Sequence, residues 1–147
     1  MSVPSGSSEI YDLLTTYAFG LDRRDFDAVA GVFTEDAVVE NVFDTYLPEG
    51  ATFASTTIGG SAVAEGARAL FTRIDATQHL LGAQTVEITG TTARASTQIV
   101  AHHHKADGYY HTGGTYEDEL VQTSDGWRIS RRTLRISWTT GNPGVFA

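Results

Sequence analysis

An aspartate and a histidine of this chain have the chemical types and the settings that acid–base chemistry needs. Asp22 lies where a first helix is expected to end, and His79 lies where a β-rich region is expected to begin. A carboxylate that holds one nitrogen of an imidazole fixes the tautomer and makes the other nitrogen a general base. Each residue also has an ordinary structural explanation. Asp22 could be a solvated helix-end residue paired with Arg23 or Arg24, and His79 could be a core histidine bonded to a backbone carbonyl.

Three further residues are candidate hydrogen-bond donors in a pocket. Tyr17 lies on the apolar face of the first predicted helix, either as a core aromatic or as a phenol that stabilises an oxyanion. Alternation along a strand places Tyr116, Asp118 and Leu120 on one face. If that face is buried, the pKa of Asp118 is raised, and the acid then acts as a neutral donor.

The run His102-His103-His104 raises the question of a metal site. Neighbouring side chains of a strand point to opposite faces, so only His102 and His104 could share an ion. No nearby Asp or Glu completes a facial ligand set in the sequence. The sequence therefore predicts no metal site, with His103 on the concave face and the other two histidines on the opposite face.

The elements that would position these residues begin with an amphipathic helix. Apolar residues recur at helical spacing over residues 8–23, and Ser7 or Ser8 is the expected N-cap. Asp25 is the expected cap of a second short helix that ends at residues 34–36. The inward-facing residues of that second helix are Val29, Val32 and Phe33.

The next segment is expected to alternate between strand, loop and helix. A strand is predicted from Ala37 to Val42, and residues 44–60, which have no clear period, are predicted to be a long loop. Ser61 is the expected cap of a third helix that runs to about Ile74. The buried set of that helix is Val63, Ala67, Leu70, Phe71 and Ile74.

The pattern changes to strands from His79 onward. Three hairpin signals separate the β-rich stretches: Thr89-Gly90, Asp107-Gly108 and Asp125-Gly126. The stretches themselves are 79–89, 92–105, 109–123 and 126–138. Tandem glycines at 113–114 indicate a β-bulge, because no helix follows them. The fold class predicted is α+β, with an antiparallel meander of strands so long that the sheet must curve, and helices that close it around a cavity.

Composition excludes several classes of partner. The 147 residues suit one domain, and the formal net charge of −8, without a Lys/Arg cluster, makes nucleic acid an unsuitable partner. The densest basic stretch, Arg128 to Arg135, is interpreted as the polar face of a strand. The chain has no cysteine and no apolar run long enough to span a membrane. Residues 1–7 resemble a flexible terminus without a signal peptide, so we expect a cytoplasmic protein.

Taken in order, the motifs of residues 8–140 resemble the SnoaL-like proteins of the nuclear-transport-factor-2-like superfamily. The resemblance is carried by YAFGLDRRDFDAV from Tyr17, VFTEDAVV from Val32, TQHLL from Thr77, GTYEDELV from Gly114 and DGWRI from Asp125. It implies an α+β cone, in which a curved sheet wraps a pocket and helices close it. It also implies a homodimer that forms through the sheet. The superfamily includes enzymes and non-catalytic domains alike, so the resemblance implies a fold more strongly than a function.

Within the superfamily the chain is most similar to the scytalone dehydratase and hexachlorocyclohexane dehydrochlorinase branch. That similarity implies that Asp22 orients His79, that His79 removes a proton, and that His103 is a further pocket histidine. The branch has a tyrosine before its aspartate where this chain has Leu21. Ketosteroid isomerases offer a second template for Tyr17 and Asp118 as an oxyanion pair. Their carboxylate base, however, corresponds to Asn41, next to Glu40, and an amide cannot take a proton from carbon.

The candidate residues and the family resemblance together predict a cofactor-independent lyase or isomerase with a small, mostly apolar substrate, for example an aromatic or polyketide-like molecule. His79 and Asp22 are the expected catalytic residues, and substrate binding is assigned to Tyr17, His103, Tyr116 and Asp118. One alternative is a polyketide-type cyclase or hydrolase that uses the same dyad. Others are a non-catalytic ligand-binding or dimerisation domain and an accessory subunit of an oxygenase. A long Asp22–His79 distance or a filled pocket would favour a non-catalytic domain.

Overall fold

The protein folds as an open, curved six-stranded sheet with three helices against its concave face. The computed structural model describes residues 6–43 and 53–147. The predicted flexibility of the first residues and most of the predicted loop at 44–60 therefore lie outside the described residues. Within them, the helices and strands in chain order are α1 (Ser7–Asp22), α2 (Phe26–Gly31), β1 (Phe33–Phe43), β2 (Phe53–Ile58), α3 (Gly60–Phe71), β3 (Ala76–Thr89), β4 (Thr92–Lys105), β5 (Gly108–Thr123) and β6 (Gly126–Gly141), followed by a 3₁₀ turn (Pro143–Phe146).

The two N-terminal helices follow the predicted pattern with small differences at their ends. Gly6 rather than a serine is the N-cap of α1, and no side chain caps that helix. The Asp25 side chain accepts a hydrogen bond from the backbone N–H of Ala28, which confirms the predicted cap of α2. Helix α2 ends at Gly31, earlier than predicted, because β1 already begins at Phe33.

The segment after β1 departs most from prediction. Residues 53–58 form strand β2, which pairs antiparallel with β1, instead of continuing a loop. Helix α3 begins at Gly60 with Gly59 as its N-cap, so Ser61 lies inside the helix and does not cap it. The helix ends at Phe71, and Ile74 is buried beyond its end. Leu70 is 39% exposed and lines the cavity described below, so it does not belong to the buried set.

The sheet order is β2-β1-β6-β5-β4-β3. The four long strands pair as the predicted antiparallel meander, and the register shifts between Gly113 and Gly114, which confirms the predicted bulge. Strand β1, however, runs parallel to β6, so the sheet is not antiparallel throughout. A tight turn forces its two strands to be antiparallel, whereas β1 and β6 are far apart in the chain and have no such constraint.

Two hydrophobic clusters hold the helices on the concave face of the sheet. One joins α1 and β1 to the inner residues of the meander, among them Ile10, Leu14, Ile99, Leu120 and Ile129. The other lies among the helices and includes Leu21, Phe26, Val29, Ala64 and Phe71. The space between the clusters remains open and forms a cavity. Among the described residues, no helix is long and apolar enough to cross a membrane.

Candidate active site

The end of helix α1 meets the start of strand β3, and this contact joins Asp22 to His79. The Oδ1 atom of Asp22 lies 2.7 Å from Nδ1 of His79. The Oδ2 atom of Asp22 accepts a hydrogen bond of 2.8 Å from the backbone N–H of His79. Both oxygens of one carboxylate therefore hold one histidine, and this fixes the ring relative to the backbone.

The protonation of the pair follows from these contacts. Burial by itself raises the pKa of Asp22, but the hydrogen bonds and charge of His79, together with a bond from Thr77, outweigh it and lower the pKa. Because a carboxylate only accepts hydrogen bonds, Nδ1 of His79 carries the proton. The lone pair of Nε2 is then the basic site of the ring.

Thr77 and Arg24 form a chain of hydrogen bonds that ends at the carboxylate of Asp22. The hydroxyl of Thr77 donates to Oδ1 of Asp22 at 3.0 Å. Arg24 donates from Nη1 to that hydroxyl at 2.8 Å and to the carbonyl of Leu21 at 2.7 Å. Since a guanidinium only donates, the hydroxyl of Thr77 must turn its own hydrogen toward Asp22. Arg24 therefore reaches Asp22 through Thr77, and the direct Asp22–Arg24 ion pair that the sequence left open is absent among the described contacts.

His79 opens onto a cavity of about 400 Å³ between the concave face of the sheet and the helices. The side chain of His79 is only 6% exposed, so the ring forms part of the inner wall. Most other lining residues are apolar, among them Leu21, Val39, Val63, Leu70, Phe71, Ile99, Leu134, Ile136 and Phe146. The size and the apolar lining are typical of a small-molecule site.

A second histidine, His103, lies in the same wall. It is buried on the inner face of β4, as predicted, and its ring centroid lies 5.9 Å from that of His79 with the rings perpendicular. Its Nδ1 donates to the carbonyl of Tyr110 at 2.7 Å. Burial lowers the pKa of His103 to about 4, despite the opposing effect of the Tyr110 carbonyl. The ring is therefore neutral at physiological pH, and its Nε2 is an acceptor rather than a donor.

Two tyrosines complete the polar part of the lining. Tyr17 and Tyr116 both line the cavity, and their rings meet edge to face with centroids 5.9 Å apart. Burial raises the pKa of both phenols, although the charge of Arg132 acts in the opposite direction. Both hydroxyls therefore keep their protons and remain able to donate hydrogen bonds.

Asp118 is placed differently from the expectation. It does not line the cavity and instead forms a two-bond ion pair with Arg132, at 2.7 Å and 2.9 Å. Both side chains are almost completely buried, and the guanidinium stacks on the ring of Tyr116 at 3.8 Å. Both carboxylate oxygens of Asp118 accept hydrogen bonds from the guanidinium, so Asp118 is not the donor in the cavity that the sequence predicted. Arg132 also corrects the interpretation of 128–135 as a purely polar face, because this residue points inward opposite Asp118.

Asn41, at the position of the base in the isomerase template, also lines the cavity. Its side-chain N–H donates to the hydroxyl of Ser55 at 3.3 Å. The neighbouring Glu40 pairs with Arg131 and is not among the lining residues. Within the described residues, no carboxylate therefore lines the cavity at this position, and the isomerase template has no base there.

The profile of the SnoaL-like domain matches residues 6–133. Uncharacterised proteins from Mycobacterium tuberculosis and Mycobacterium bovis are 29% identical over 133 residues, which cover 84% of this chain and 80% of each relative.

Several solved structures share the fold. A candidate aromatic ring hydroxylase from Novosphingobium aromaticivorans is 26% identical with a TM-score of 0.80, covering 99% of this chain and 100% of its own. A candidate scytalone dehydratase from the same species has 24% identity and a TM-score of 0.75, with 90% and 85% covered. Hexachlorocyclohexane dehydrochlorinase type 3 from Novosphingobium barchaimii has 15% identity and a TM-score of 0.75, with 95% and 92% covered. The last two likenesses show a common fold. The profile match over most of its length shows that this chain belongs to the SnoaL-like domain family.

Proposed function

We propose that this protein is a cofactor-independent lyase or isomerase in which His79 is the general base and Asp22 its partner. The observation that carries the proposal is the 2.7 Å contact between Asp22 and His79 in the wall of an apolar cavity. A carboxylate that accepts from Nδ1 holds the imidazole in the tautomer whose Nε2 takes a proton. The same carboxylate stabilises the imidazolium that forms.

The proposed reaction begins with proton transfer to His79. Nε2 removes a proton from a carbon made acidic by a neighbouring carbonyl, and the electron pair of the broken C–H bond forms an enolate. In a lyase, the enolate then expels a leaving group such as hydroxide from the next carbon, and the imidazolium returns its proton to that group. In an isomerase, the proton returns to a different carbon. A positioned base of this kind contributes about 10²–10⁴-fold to the rate.

The other polar residues of the cavity have complementary parts in this proposal. The phenols of Tyr17 and Tyr116 retain their protons and are suited to donate to the developing enolate oxygen. Neutral His103 is suited to accept a hydrogen bond from a substrate hydroxyl, since its Nδ1–H is committed to Tyr110. Asp118 has no direct part, because Arg132 occupies both of its oxygens.

The cavity also limits the class of substrate. A volume of about 400 Å³ with aliphatic and aromatic walls suits one compact, mostly apolar molecule, such as a fused aromatic or polyketide-like ring system. Two structural neighbours are named for eliminations, a dehydratase and a dehydrochlorinase, and this supports elimination for the present chain. A non-catalytic domain would be favoured by a long Asp22–His79 distance or a filled pocket, and neither feature is present among the described residues.

The experiment uses a benzo-fused β-hydroxy cyclohexanone as the probe, because loss of water from it gives a naphthol that is followed by ultraviolet absorbance. Deuterium uptake at the acidic carbon in heavy water is measured in parallel, so that isomerase-type proton exchange is also detected. We expect His79→Ala and Asp22→Asn each to lower the rate by about 10²–10⁴-fold. Rates in both variants equal to that of the wild type would remove the dyad from the mechanism.

Two matched controls accompany these variants. Gln78→Ala changes the exposed neighbour of His79 on the opposite face of β3, and Asp12→Asn changes an exposed aspartate of the same helix as Asp22. Both controls should retain the wild-type rate.

A further inference from the structure

The outer face of the sheet carries a group of three histidines that the proposed reaction does not use. His102 and His104 are two residues apart on β4, so both point away from the cavity while His103 points into it. On the neighbouring strand β5, His111 is paired in register directly with His102. The alternation of β4 and the register of β4 with β5 therefore place all three imidazoles on one small patch.

One distance within this patch equals the separation of two ligands on one metal ion, and the others are close to it. One ring nitrogen from each histidine lies within 4.8 Å of the corresponding atoms of the other two. The Nε2 atoms of His104 and His111 are 3.3 Å apart. Two nitrogens bound to one tetrahedral zinc ion at about 2.0–2.1 Å are about 3.3–3.4 Å from each other. The histidines therefore need only small ring movements to converge on an ion.

We propose that His102, His104 and His111 form a metal site that binds one Zn²⁺ ion, or another divalent transition-metal ion with the same preference for imidazole. Three neutral nitrogen ligands favour zinc, copper or nickel over magnesium or calcium, which prefer oxygen ligands. His104 is exposed and the other two are half-buried, so solvent can supply the fourth ligand.

The neighbours of the patch restrict two of its rings and link the proposed metal site to the cavity. The ring of Tyr109 packs 4.8 Å from that of His111 and 6.5 Å from that of His104, which restricts both rings. The inner face of the same hairpin carries His103, whose ring bonds to the carbonyl of Tyr110. An ion bound by both β4 and β5 would tie together the two strands that position His103.

The test measures metal binding to the full chain prepared without a histidine tag and stripped with a chelator. Titration calorimetry with Zn²⁺ should give one ion per chain, and the melting temperature should rise when Zn²⁺ is added. Cobalt(II) should give the visible absorption bands of a four- or five-coordinate ion. His111→Gln should weaken Zn²⁺ binding by at least about 10–100-fold, because the loss of a group that only supports a ligand already costs that much.

The chain offers a matched control in the histidine that lies between two of the proposed ligands. His103→Gln removes an imidazole from the same run but from the opposite face, so it should keep one tight Zn²⁺ site. Circular dichroism checks that each variant is folded, and separate His102→Gln and His104→Gln variants repeat the test if His111→Gln does not fold. No binding by the wild type, equal binding by His111→Gln, or an equal loss in His103→Gln would each overturn the proposal. Because the readout is binding, the outcome is independent of whether the proposed lyase activity is found.

Discussion

At the scale of single residues, Thr77 gives the Asp22 carboxylate its orientation. Its hydroxyl accepts a hydrogen bond from Arg24 and donates one to Asp22. Arg24 therefore fixes the carboxylate through Thr77 and forms no direct ion pair with it among the described contacts. Thr77 does not line the cavity, and we regard it as a positioning residue for the proposed base. Its contribution can be separated from that of the methyl group, since Ser keeps the hydroxyl and Val keeps the shape.

We predict that Thr77→Val lowers the rate of the proposed reaction by about 5-fold, since the loss of a hydrogen bond of about 1 kcal/mol corresponds to roughly that factor. The loss should fall on kcat rather than KM, because the residue acts through Asp22 and not on the substrate. Thr77→Ser should restore most of the rate. Equal losses in Thr77→Val and Thr77→Ser would show that packing, and not the hydroxyl, is what matters.

The pKa of Asp22 leads to a prediction about stability. Because this pKa is lowered below 3.8 in the folded protein, the ionised residue contributes stability above pH 3.8 and loses it as the pH falls through the folded value. We expect the free energy of unfolding of Asp22→Asn to lie below that of the wild type at neutral pH. The difference should narrow well below pH 3.8. Urea denaturation at both pH values measures it, with Asp12→Asn as the control; a difference that does not change with pH would contradict the assignment.

At the scale of elements, the contact between β5 and β6 contains the buried ion pair of Asp118 and Arg132. The register places the two residues directly opposite each other, and both side chains lie at 1% exposure or less. The guanidinium of Arg132 lies over the rings of Tyr17 and Tyr116. Its charge therefore acts to lower the pKa of both phenols, although Arg132 does not line the cavity. The Nη1 atom of Arg132 has no hydrogen-bond partner among the described residues, so Asp118 and the aromatic rings hold the charge.

We predict that Asp118→Asn destabilises the protein by about 3–5 kcal/mol, because it leaves the guanidinium of Arg132 buried without a counter-charge. Glu119→Gln is the matched control on the next residue of the same strand. That glutamate is half-exposed and pairs loosely with Arg94 at 3.8 Å, so its loss should cost less than about 1 kcal/mol. Urea denaturation of both variants measures the difference. Similar small costs for the two variants would show that the buried charge is solvated in solution.

At the scale of the whole molecule, the outer face of the sheet exposes several large apolar residues. Leu80 and Trp138 are 47% and 44% exposed, and both border one shallow depression together with Val100. Removing such residues from water is favourable at about 25 cal/mol per Å² of apolar surface. We therefore retain the proposal, first made from the family resemblance, that two copies associate through the sheet.

We predict that the wild type sediments as a dimer and that Trp138→Glu sediments as a monomer, since a carboxylate at this position would be buried without a partner. Sedimentation velocity measures the change over a range of protein concentrations. Phe19→Glu, which changes an exposed aromatic residue of α1 outside the sheet, is the control and should leave the dimer intact. A wild-type monomer at all concentrations, or equal dissociation in both variants, would contradict association through the sheet.

The sequence by itself determined which element each candidate residue belongs to and which way most of them face. Helical spacing and strand alternation are local properties, so they placed Asp22 at the end of α1, His79 on β3 and His103 on the inner face of β4. The hairpin signals were also local, and they separated the four strands of the meander correctly. The meeting of Asp22 with His79 was only a hypothesis from these data, supported by the family resemblance.

The tertiary structure decided which residues became partners, because pairing depends on contacts between distant segments and on the cost of burying charge. The register of β4 with β5 brought His111 beside His102, which alternation along one strand could not reveal. The register of β5 with β6 placed Arg132 opposite Asp118. Asp118, which was expected to donate a hydrogen bond in the cavity, therefore forms an ion pair with Arg132. Strand β1 pairs parallel with β6, and this direction was also set by packing between distant segments rather than by a local turn.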